Sequence, residues 1–120
     1  MGAALAVLDR FMAALNACNE PALLATLHFP HYRLAGGRMR VWDQSGAYLG
    51  DFLARAGADW HHSEWDFRKV IAAGAAKMHL DVQFTRYRAD NSVIDSFRSL
   101  WIVTEDGGRW AVAARSSFAD

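Results

Sequence analysis

The sequence has one cysteine, two prolines and no excess of charge of either sign. The single thiol, Cys18, lies in an apolar helical stretch, which predicts a small buried side chain and fits a reducing, cytoplasmic location. Thirteen basic and thirteen acidic residues balance, so the sequence lacks the basic footprint of a nucleic-acid-binding protein. Asp9 and Arg10 interrupt the apolar N-terminal stretch, and no apolar run is long enough for a membrane span. Neither nucleic acid nor a membrane is therefore expected as a partner.

The first half of the chain carries helical periodicity. Between Ala4 and Cys18, apolar residues recur every three or four positions, which predicts an amphipathic helix. Asn19 can cap a second, short helix that ends before Pro30. Ser45 can cap a third helix, for which Gly57 is a natural end. Each of these helices has one apolar stripe that needs a surface to cover.

Other segments of the chain carry the pattern of extended strands. Two extended runs between His31 and Asp43, separated by Gly36-Gly37, predict a hairpin. After His61 the pattern predicts four long antiparallel strands, each with one apolar face. With 52% apolar residues, the chain is long enough for one domain, 1–120, with its own core. Helices followed by a run of strands predict an α+β fold in which the helices cover the apolar face of the sheet.

A tight turn at Asp90-Asn91 predicts a register that the sequence itself can check. In this register apolar residues lie opposite apolar residues, and charges lie opposite charges of the other sign. The predicted pairs are Phe84 with Phe97, Leu80 with Trp101, Met78 with Val103, Arg86 with Asp95, Gln83 with Arg98, and Thr85 with Ser96.

Two other registers follow less directly from the sequence. A turn at Asp106-Gly107 predicts that Trp101 lies opposite Val112 on the last strand. On the first long strand, a turn at Gly74-Ala75 places Lys69 on the inner face together with three large apolar residues: Trp65, Phe67 and Ile71. A β-bulge near Lys69 would resolve this conflict.

The order of elements closes with the strand Asp106-Gly-Gly-Arg-Trp-Ala-Val-Ala-Ala-Arg-Ser-Ser-Phe118. Over the whole chain, this order and this strand resemble the nuclear transport factor 2-like (NTF2-like), or SnoaL-like, superfamily, and in particular its small uncharacterised bacterial members. The resemblance implies a cystatin-like fold, a cone-shaped curved sheet wrapped by three helices around a pocket, and often a dimer. Isomerases, dehydratases, epoxide hydrolases, polyketide cyclases and non-catalytic binding domains share that fold, so the fold does not choose among them.

The catalytic patterns of that superfamily match this sequence only in part. Its steroid isomerases use a tyrosine on the first helix and an acidic base beyond the second, whereas here the first helix has no tyrosine and Phe29-Pro30-His31-Tyr32 follows the second. Its epoxide hydrolases bridge two aspartates with an arginine, and Arg86 with Asp95 supplies half of that set. Its scytalone-type dehydratases pair histidines with tyrosines, whereas the histidines here are expected near the pocket rim: His28, His31, His61 and His62.

Polar residues on the predicted inner face are the candidate site. Asp95 is the candidate general base, and Arg86 is the candidate anchor for an anion or a carbonyl group. The commoner alternative is an ordinary cross-strand ion pair near the sheet edge. The predicted substrate-binding residues around this pair are Trp65, Phe97, Ser99, Ser116 and Tyr48, although the hydroxyls of Tyr32 and Tyr48 are more often expected at the surface.

Three classes of function remain open from the sequence. They are a cofactor-independent lyase, isomerase or hydrolase for a small hydrophobic substrate, a dimeric ligand-binding module, and a structural association domain. No metal or other cofactor is expected, because the histidines lack the companion ligands of a tetrahedral site. A homodimer through the outer sheet face is expected, since that face carries apolar residues that another surface should cover, namely Leu100, Ile102, Val70 and Ile94.

Overall fold

A computed structural model describes residues 2–119, and it confirms the predicted α+β class, with a curved sheet and helices against one face. The predicted domain, 1–120, begins and ends on residues that lie outside the described part. The helices are α1 (Gly2–Asn16), α2 (Glu20–Leu24) and α3 (Tyr48–Ala56), the last preceded by a 3-10 turn at Ser45–Ala47. The strands are β1 (Leu27–Ala35), β2 (Arg38–Trp42), β3 (His62–Ala73), β4 (Lys77–Tyr87), β5 (Val93–Asp106) and β6 (Arg109–Ser117).

The described strands form one six-stranded sheet in the order β2-β1-β6-β5-β4-β3. The predicted antiparallel run of four long strands, β3 to β6, is confirmed. The predicted hairpin of β1 and β2 is confirmed as well, and it extends the same sheet beyond β6. β1 lies parallel to β6, which is the one parallel pairing among the described strands.

Helix α1 buries its apolar stripe against the inner face of the sheet. Leu8 and Phe11 are buried, and the ring of Phe11 meets that of Trp101 edge-on with centroids 4.9 Å apart. The Nε1–H of Trp65 donates to the carbonyl of Leu8 at 3.2 Å, which fixes the indole beneath the helix. None of the described helices is long and apolar enough to cross a membrane.

The helix ends follow local chemistry, with three differences from the prediction. Asn19 caps α2 as predicted, since its side chain accepts the backbone N–H of Ala22. Helix α3 ends at Gly57, but Ser45 makes no side-chain capping bond. The predicted burial of Cys18 is wrong, because α1 ends at Asn16 and Cys18 lies exposed in a left-handed turn with φ +49°.

The third difference is that α2 ends at Leu24 instead of running on towards Pro30. Leu27 begins β1 instead, because it lies opposite Val112 on β6 and so joins the sheet. The Phe29–Pro30 peptide bond is cis, and Pro30 lies where the β1–β6 register shifts. A proline without an N–H is tolerated at such an irregularity because no ladder bond is lost there.

The register between β4 and β5 is confirmed at every predicted pair. The register between β5 and β6 was predicted wrongly. The turn uses Gly107 and Gly108, both with positive φ, so Val112 lies opposite Val103. A bulge at Ala113 then adds one residue to β6, and Arg115 lies opposite Trp101. Because a bulge reverses the alternation of faces, the strand turns Arg115 inward and Ser116 outward.

Strand β3 contains two bulges on either side of Lys69, one at Asp66 and one at Ile71, which confirms the predicted bulge near that residue. Lys69 lies opposite Asp81 on the outer face, so the conflict at that position disappears. The predicted inward placement of Phe67 and Ile71 is wrong, since both are exposed. The predicted outward placement of Val70 is also wrong, because Val70 lies opposite Leu80, which is fully buried.

Candidate functional site

A cavity lies between α1, α3 and the inner face of the sheet. Its apolar walls are five aromatic rings and two aliphatic side chains, Phe11, Phe52, Trp65, Phe84, Trp101, Met12 and Leu15. The volume open to the centre of a water molecule is about 20 Å³, little more than one water molecule needs. All the space between the lining atoms, including the part open to solvent, is about 400 Å³. A small group fits inside the cavity as it stands, and a larger one requires a side chain to move.

Four arginine side chains also line this cavity: Arg33 on β1, Arg55 in the last turn of α3, Arg86 on β4 and Arg115 on β6. Arg33 and Arg115 are neighbours across the parallel β1–β6 pair. Arg33 donates from Nη2 to the carbonyl of Ala119. Among residues 2–119, no Asp or Glu lines the cavity. The lining of the cavity is therefore rich in positive charge.

The guanidinium groups of Arg86 and Arg115 rest on aromatic rings. The Cζ atom of Arg86 lies 4.7 Å from the centre of the Phe97 ring, and 5.5 and 5.7 Å from those of Phe52 and Phe84. Arg115 rests in the same way against a second group of rings, those of Trp101 at 5.3 Å, Tyr48 at 5.5 Å and Phe11 at 6.0 Å. These rings hold each cation in place without neutralising it.

Several arginine N–H groups in this cluster are buried without an acceptor. Within the described chain, the Nε atoms of Arg55, Arg86 and Arg115 and the Nη2 atom of Arg115 have no hydrogen-bond partner. Arg86 and Arg115 are only 6% and 9% exposed. A buried donor without an acceptor is costly, and a charged one more so.

The electrostatics agree with this geometry. Burial lowers the pKa of Arg55 to about 9 and that of Arg86 to about 10, and in both cases the charge of Arg115 is the next largest cause. The arginines therefore repel one another in a poorly solvated space.

The three serines of the cavity already have partners. The Oγ of Ser63 accepts the Nε1–H of Trp60 at 2.9 Å, and the Oγ of Ser99 donates to the carbonyl of Ser116 at 3.0 Å. The Oγ of Ser117 accepts the backbone N–H of Ala119 at 3.1 Å. Within residues 2–119, none of these serines contacts a base that would activate it as a nucleophile.

Three of the predicted site residues line the cavity together: Arg86, Trp65 and Ser99. Tyr48 is 1% exposed, so its expected surface placement is wrong, and it contacts Arg115 without lining the cavity. Phe97 lies beside Arg86 but borders a groove that opens on the outer face. Ser116 lies on that outer face, because the bulge at Ala113 turned it away.

The predicted ion pair between Arg86 and Asp95 is not formed. The two residues are cross-strand neighbours as predicted, but no ion pair between described residues joins them. Asp95 is exposed, and its carboxylate accepts the backbone N–H of Ser96 at 2.8 Å. The side chain of Arg86 instead turns towards the rings of Phe52, Phe84 and Phe97. Asp95 is not among the residues that line the cavity.

Sequence reasoning missed Arg33, Arg55 and Arg115. The signal for Arg115 was hidden by the one-residue bulge. Arg33 could have been found, because the run His31-Tyr32-Arg33-Leu34 alternates polar with apolar residues in the pattern of a strand. In the structure the polar residues of this run, His31 and Arg33, are the ones that face inward. Polar side chains on the inner face of a strand need hydrogen-bond partners inside an apolar core, so such a strand indicates a candidate site.

His31 was expected at the rim and is instead fully buried. Its Nδ1 lies 3.1 Å from the carbonyl of Val112, and its Nε2 has no partner within residues 2–119. Burial, and next the charge of Arg115, lower the pKa of His31 to about 3, so the ring is neutral at pH 7. None of the four histidines expected at the rim lines the cavity, and His, Cys, Asp and Glu side chains of the described residues form no group of three suited to a metal ion.

No protein-family model matches this sequence, and no curated protein matches it. Solved structures match it in fold. A protein of unknown function with a cystatin-like fold from Nostoc punctiforme superposes with a TM-score of 0.78 at 12% identity, over 97% of this chain and 87% of that one. An NTF2-like protein from Cytophaga hutchinsonii superposes with a TM-score of 0.74 at 14% identity, over 97% and 94% of the two chains.

A ketosteroid isomerase-like protein from Erwinia carotovora atroseptica is similar as well, with a TM-score of 0.71 at 16% identity over 98% of this chain and 93% of that one. These similarities confirm the predicted NTF2-like, cystatin-like fold. At such identities they establish the fold alone, so the chemistry of the site must come from its own residues.

Proposed function

We propose that this domain is a ligand-binding module that holds a small molecule in the cavity beneath α1 and α3. The observation that carries the proposal is a largely enclosed space with five aromatic side chains in its wall and three lining arginines, Arg55, Arg86 and Arg115, whose buried N–H groups include several without an acceptor among residues 2–119. Mostly apolar concave sites with a few convergent polar groups are the usual form of small-molecule sites. The aromatic wall favours a ligand with an apolar body.

The side chains that border the cavity favour ligand binding over acid–base catalysis. A general base must lie within hydrogen-bond reach of the proton that it removes. Asp95 is exposed and outside the cavity, and His31 does not border it. The described residues that border the cavity thus provide cations and hydroxyl groups but no carboxylate.

A cofactor-independent lyase, isomerase or hydrolase is the second candidate. One observation favours it: donors without acceptors in a poorly hydrated site resemble groups arranged to stabilise an oxyanion that develops during a reaction. Similarity to a ketosteroid isomerase-like protein agrees with this candidate. Conversion of a bound compound by the wild type, lost in a variant that no longer binds it, would favour catalysis.

A cavity-filling substitution tests the binding proposal. Ser99 borders the cavity, so Ser99→Leu should occupy its space and abolish the binding of small aromatic compounds in a ligand-observed NMR screen. Ser96→Leu on the exposed side of the same strand is the matched control and should bind like the wild type. Urea unfolding of both variants checks that the fold is kept. Equal binding by both folded variants would place the ligand outside this cavity.

The homodimer also remains a proposal, supported by the outer sheet face. Four strands contribute neighbouring residues to two rows across that face. The rows are Ile102–Ala114–Tyr32–Val41 and Leu100–Ser116–Leu34–Met39. The helices cover the opposite face, so a second copy is the simplest cover for these rows, and a twofold contact lets one patch cover itself.

A further inference from the structure

We infer that the ligand of this cavity carries an oxyanionic group, which is either a carboxylate or a phosphate-type group. Arg86 and Arg115 bind this group, and Arg55 is a third cation beside it. The inference rests on the proposed function, because it specifies the class of ligand for the same cavity. The oxyanion contacts the arginines, and the apolar body lies against the aromatic wall.

The cavity has an excess of positive charge that an anion would balance. The ion pairs between described residues use Arg40, Arg68 and Arg98, none of which borders the cavity. Arg55, Arg86 and Arg115 therefore have no carboxylate partner among residues 2–119. Buried cations are ordinarily paired, because removing an unpaired charge from water is expensive. An anionic ligand would supply the missing partner.

The hydrogen-bond donors of Arg86 and Arg115 also favour an oxyanion. A guanidinium group donates in its own plane, whereas its flat faces stack on aromatic rings. The guanidinium carbons of Arg86 and Arg115 lie over separate groups of rings. Their in-plane donors remain, including the unpartnered Nε–H of each and the Nη2 of Arg115. Carboxylate and phosphate oxygens are the acceptors that match such planar donors best.

Repulsion among the cations of the cavity favours an anionic ligand as well. The charge of Arg115 lowers the pKa of both Arg55 and Arg86, so these groups destabilise one another in the absence of an anion. An anion between them removes that repulsion, whereas a neutral ligand leaves it and a cationic ligand adds to it. The site should therefore select an anionic ligand over a neutral ligand of the same shape.

The groove that leads to the cavity is also lined by arginines. Arg33 and Arg55 border both the cavity and an open groove beside α3 that also contains Arg38 and the ion pair of Arg40 with Asp51. Arg55 is only partly buried, so its side chain can swing aside more easily than that of Arg86 or Arg115. A ligand that approaches through this groove meets positive charge first, which favours anions during the encounter as well.

The test is isothermal titration calorimetry with three probes at low ionic strength. Benzoate and benzamide have nearly the same size and shape but differ in charge, and inorganic phosphate is an oxyanion without an apolar body. We expect benzoate to bind at least about tenfold more tightly than benzamide, since a hydrogen bond to a charged group adds that much or more. We also expect phosphate to compete with benzoate.

Two variants and a control locate the binding. Arg115→Met and Arg86→Met should each weaken benzoate binding about tenfold or more and bring its affinity close to that of benzamide. Arg98→Met is the matched control, because Arg98 is also stacked on an aromatic ring, that of Phe67 at 5.0 Å, but on the exposed face. It should leave benzoate binding unchanged. The ratio of the two affinities is the decisive readout, since a merely structural role of the arginines would lower both together.

The outcomes separate this inference from the proposed function. Equal binding of benzoate and benzamide, abolished by Ser99→Leu, would overturn the anion inference and keep the ligand-binding function. Binding of phosphate without benzoate would support the oxyanion site and overturn the apolar ligand. Benzoate binding that survives in folded Arg86→Met and Arg115→Met would overturn the inference. Failure of all three probes would overturn both proposals.

Discussion

Arg115 lies directly across the sheet from Trp101, with its guanidinium carbon 5.3 Å from the centre of the indole ring. The bulge at Ala113 creates this contact, because without the extra residue the side chain would point to the outer face. Trp101 belongs to the buried core, so the contact brings a cation to the base of an apolar cavity. A position that ordinarily holds an aliphatic residue is thus occupied by a charge.

Arg115→Met should leave the free energy of unfolding unchanged or raise it by about 1 kcal/mol in the absence of ligand. The reason is that an apolar side chain of similar length removes an unpaired buried charge without leaving a large cavity. Urea unfolding followed by circular dichroism measures the difference. Arg98→Met, which breaks an exposed ion pair with Asp81, should cost less than about 1 kcal/mol. A loss above 2 kcal/mol for Arg115→Met would show that the arginine stabilises the fold.

Stability should fall as the pH drops from 7 to 5, and His31 should account for part of the fall. Its pKa is about 3 in the folded protein and 6.5 in an exposed histidine, so the unfolded chain binds a proton over this window that the folded chain does not. The contribution is present above pH 6.5 and is lost below it, by about 2 kcal/mol at pH 5. The charged groups that act on His31 are Arg115 and His28.

Urea unfolding of the wild type and of His31→Gln at several pH values checks this prediction. The curve of the variant should be flatter by about 2 kcal/mol between pH 7 and pH 5. His61→Gln is the control and should keep the wild-type slope, because His61 is exposed. Parallel curves for the wild type and His31→Gln would mean that His31 is protonated in the folded protein.

Leu80→Ala should destabilise the protein by about 2–5 kcal/mol, the usual cost of a large-to-small change in a packed core. Leu80 is fully buried opposite Trp101, between β3 and β5. Val93→Ala on an exposed strand end should change stability by less than about 0.5 kcal/mol. Chemical denaturation compares the two. Equal small effects would contradict the packing of the sheet against α1.

Leu100→Asp should convert the proposed dimer to a monomer, because it places a carboxylate within an apolar row of the outer sheet face. The interface would bury on the order of 1,600 Å² in total. Sedimentation velocity at micromolar concentration measures the change. Leu53→Asp, at an exposed apolar position on α3 away from the sheet, is the control and should remain dimeric. A monomeric wild type would contradict the dimer, and a dimeric Leu100→Asp variant would move the interface elsewhere.

The fold was predictable from the sequence wherever the signal was local. The register between β4 and β5 followed from one turn and from the matching of side chains such as Phe84 with Phe97. The pairing of β1 with β6 joins segments about 80 residues apart, so no local period could reveal it. That pairing is also what made Leu27 part of a strand instead of the second helix.

The site was predictable only in part, because it depends on single-residue irregularities. Arg86, Trp65 and Ser99 follow regular alternation, and they were placed correctly on the inner face. Arg115 and Ser116 exchange faces through the bulge at Ala113, for which the sequence carries no clear signal. The general lesson is that an inserted residue moves every later side chain of its strand to the other face.

The crystal structure of the protein with benzoate tests the central claim most directly. The account predicts that the carboxylate lies in the cavity within hydrogen-bond distance of Arg86 and Arg115, with the phenyl ring against the wall formed by Trp65 and Trp101. Benzoate bound only outside the cavity, or bound inside with its carboxylate directed away from both arginines, would contradict it.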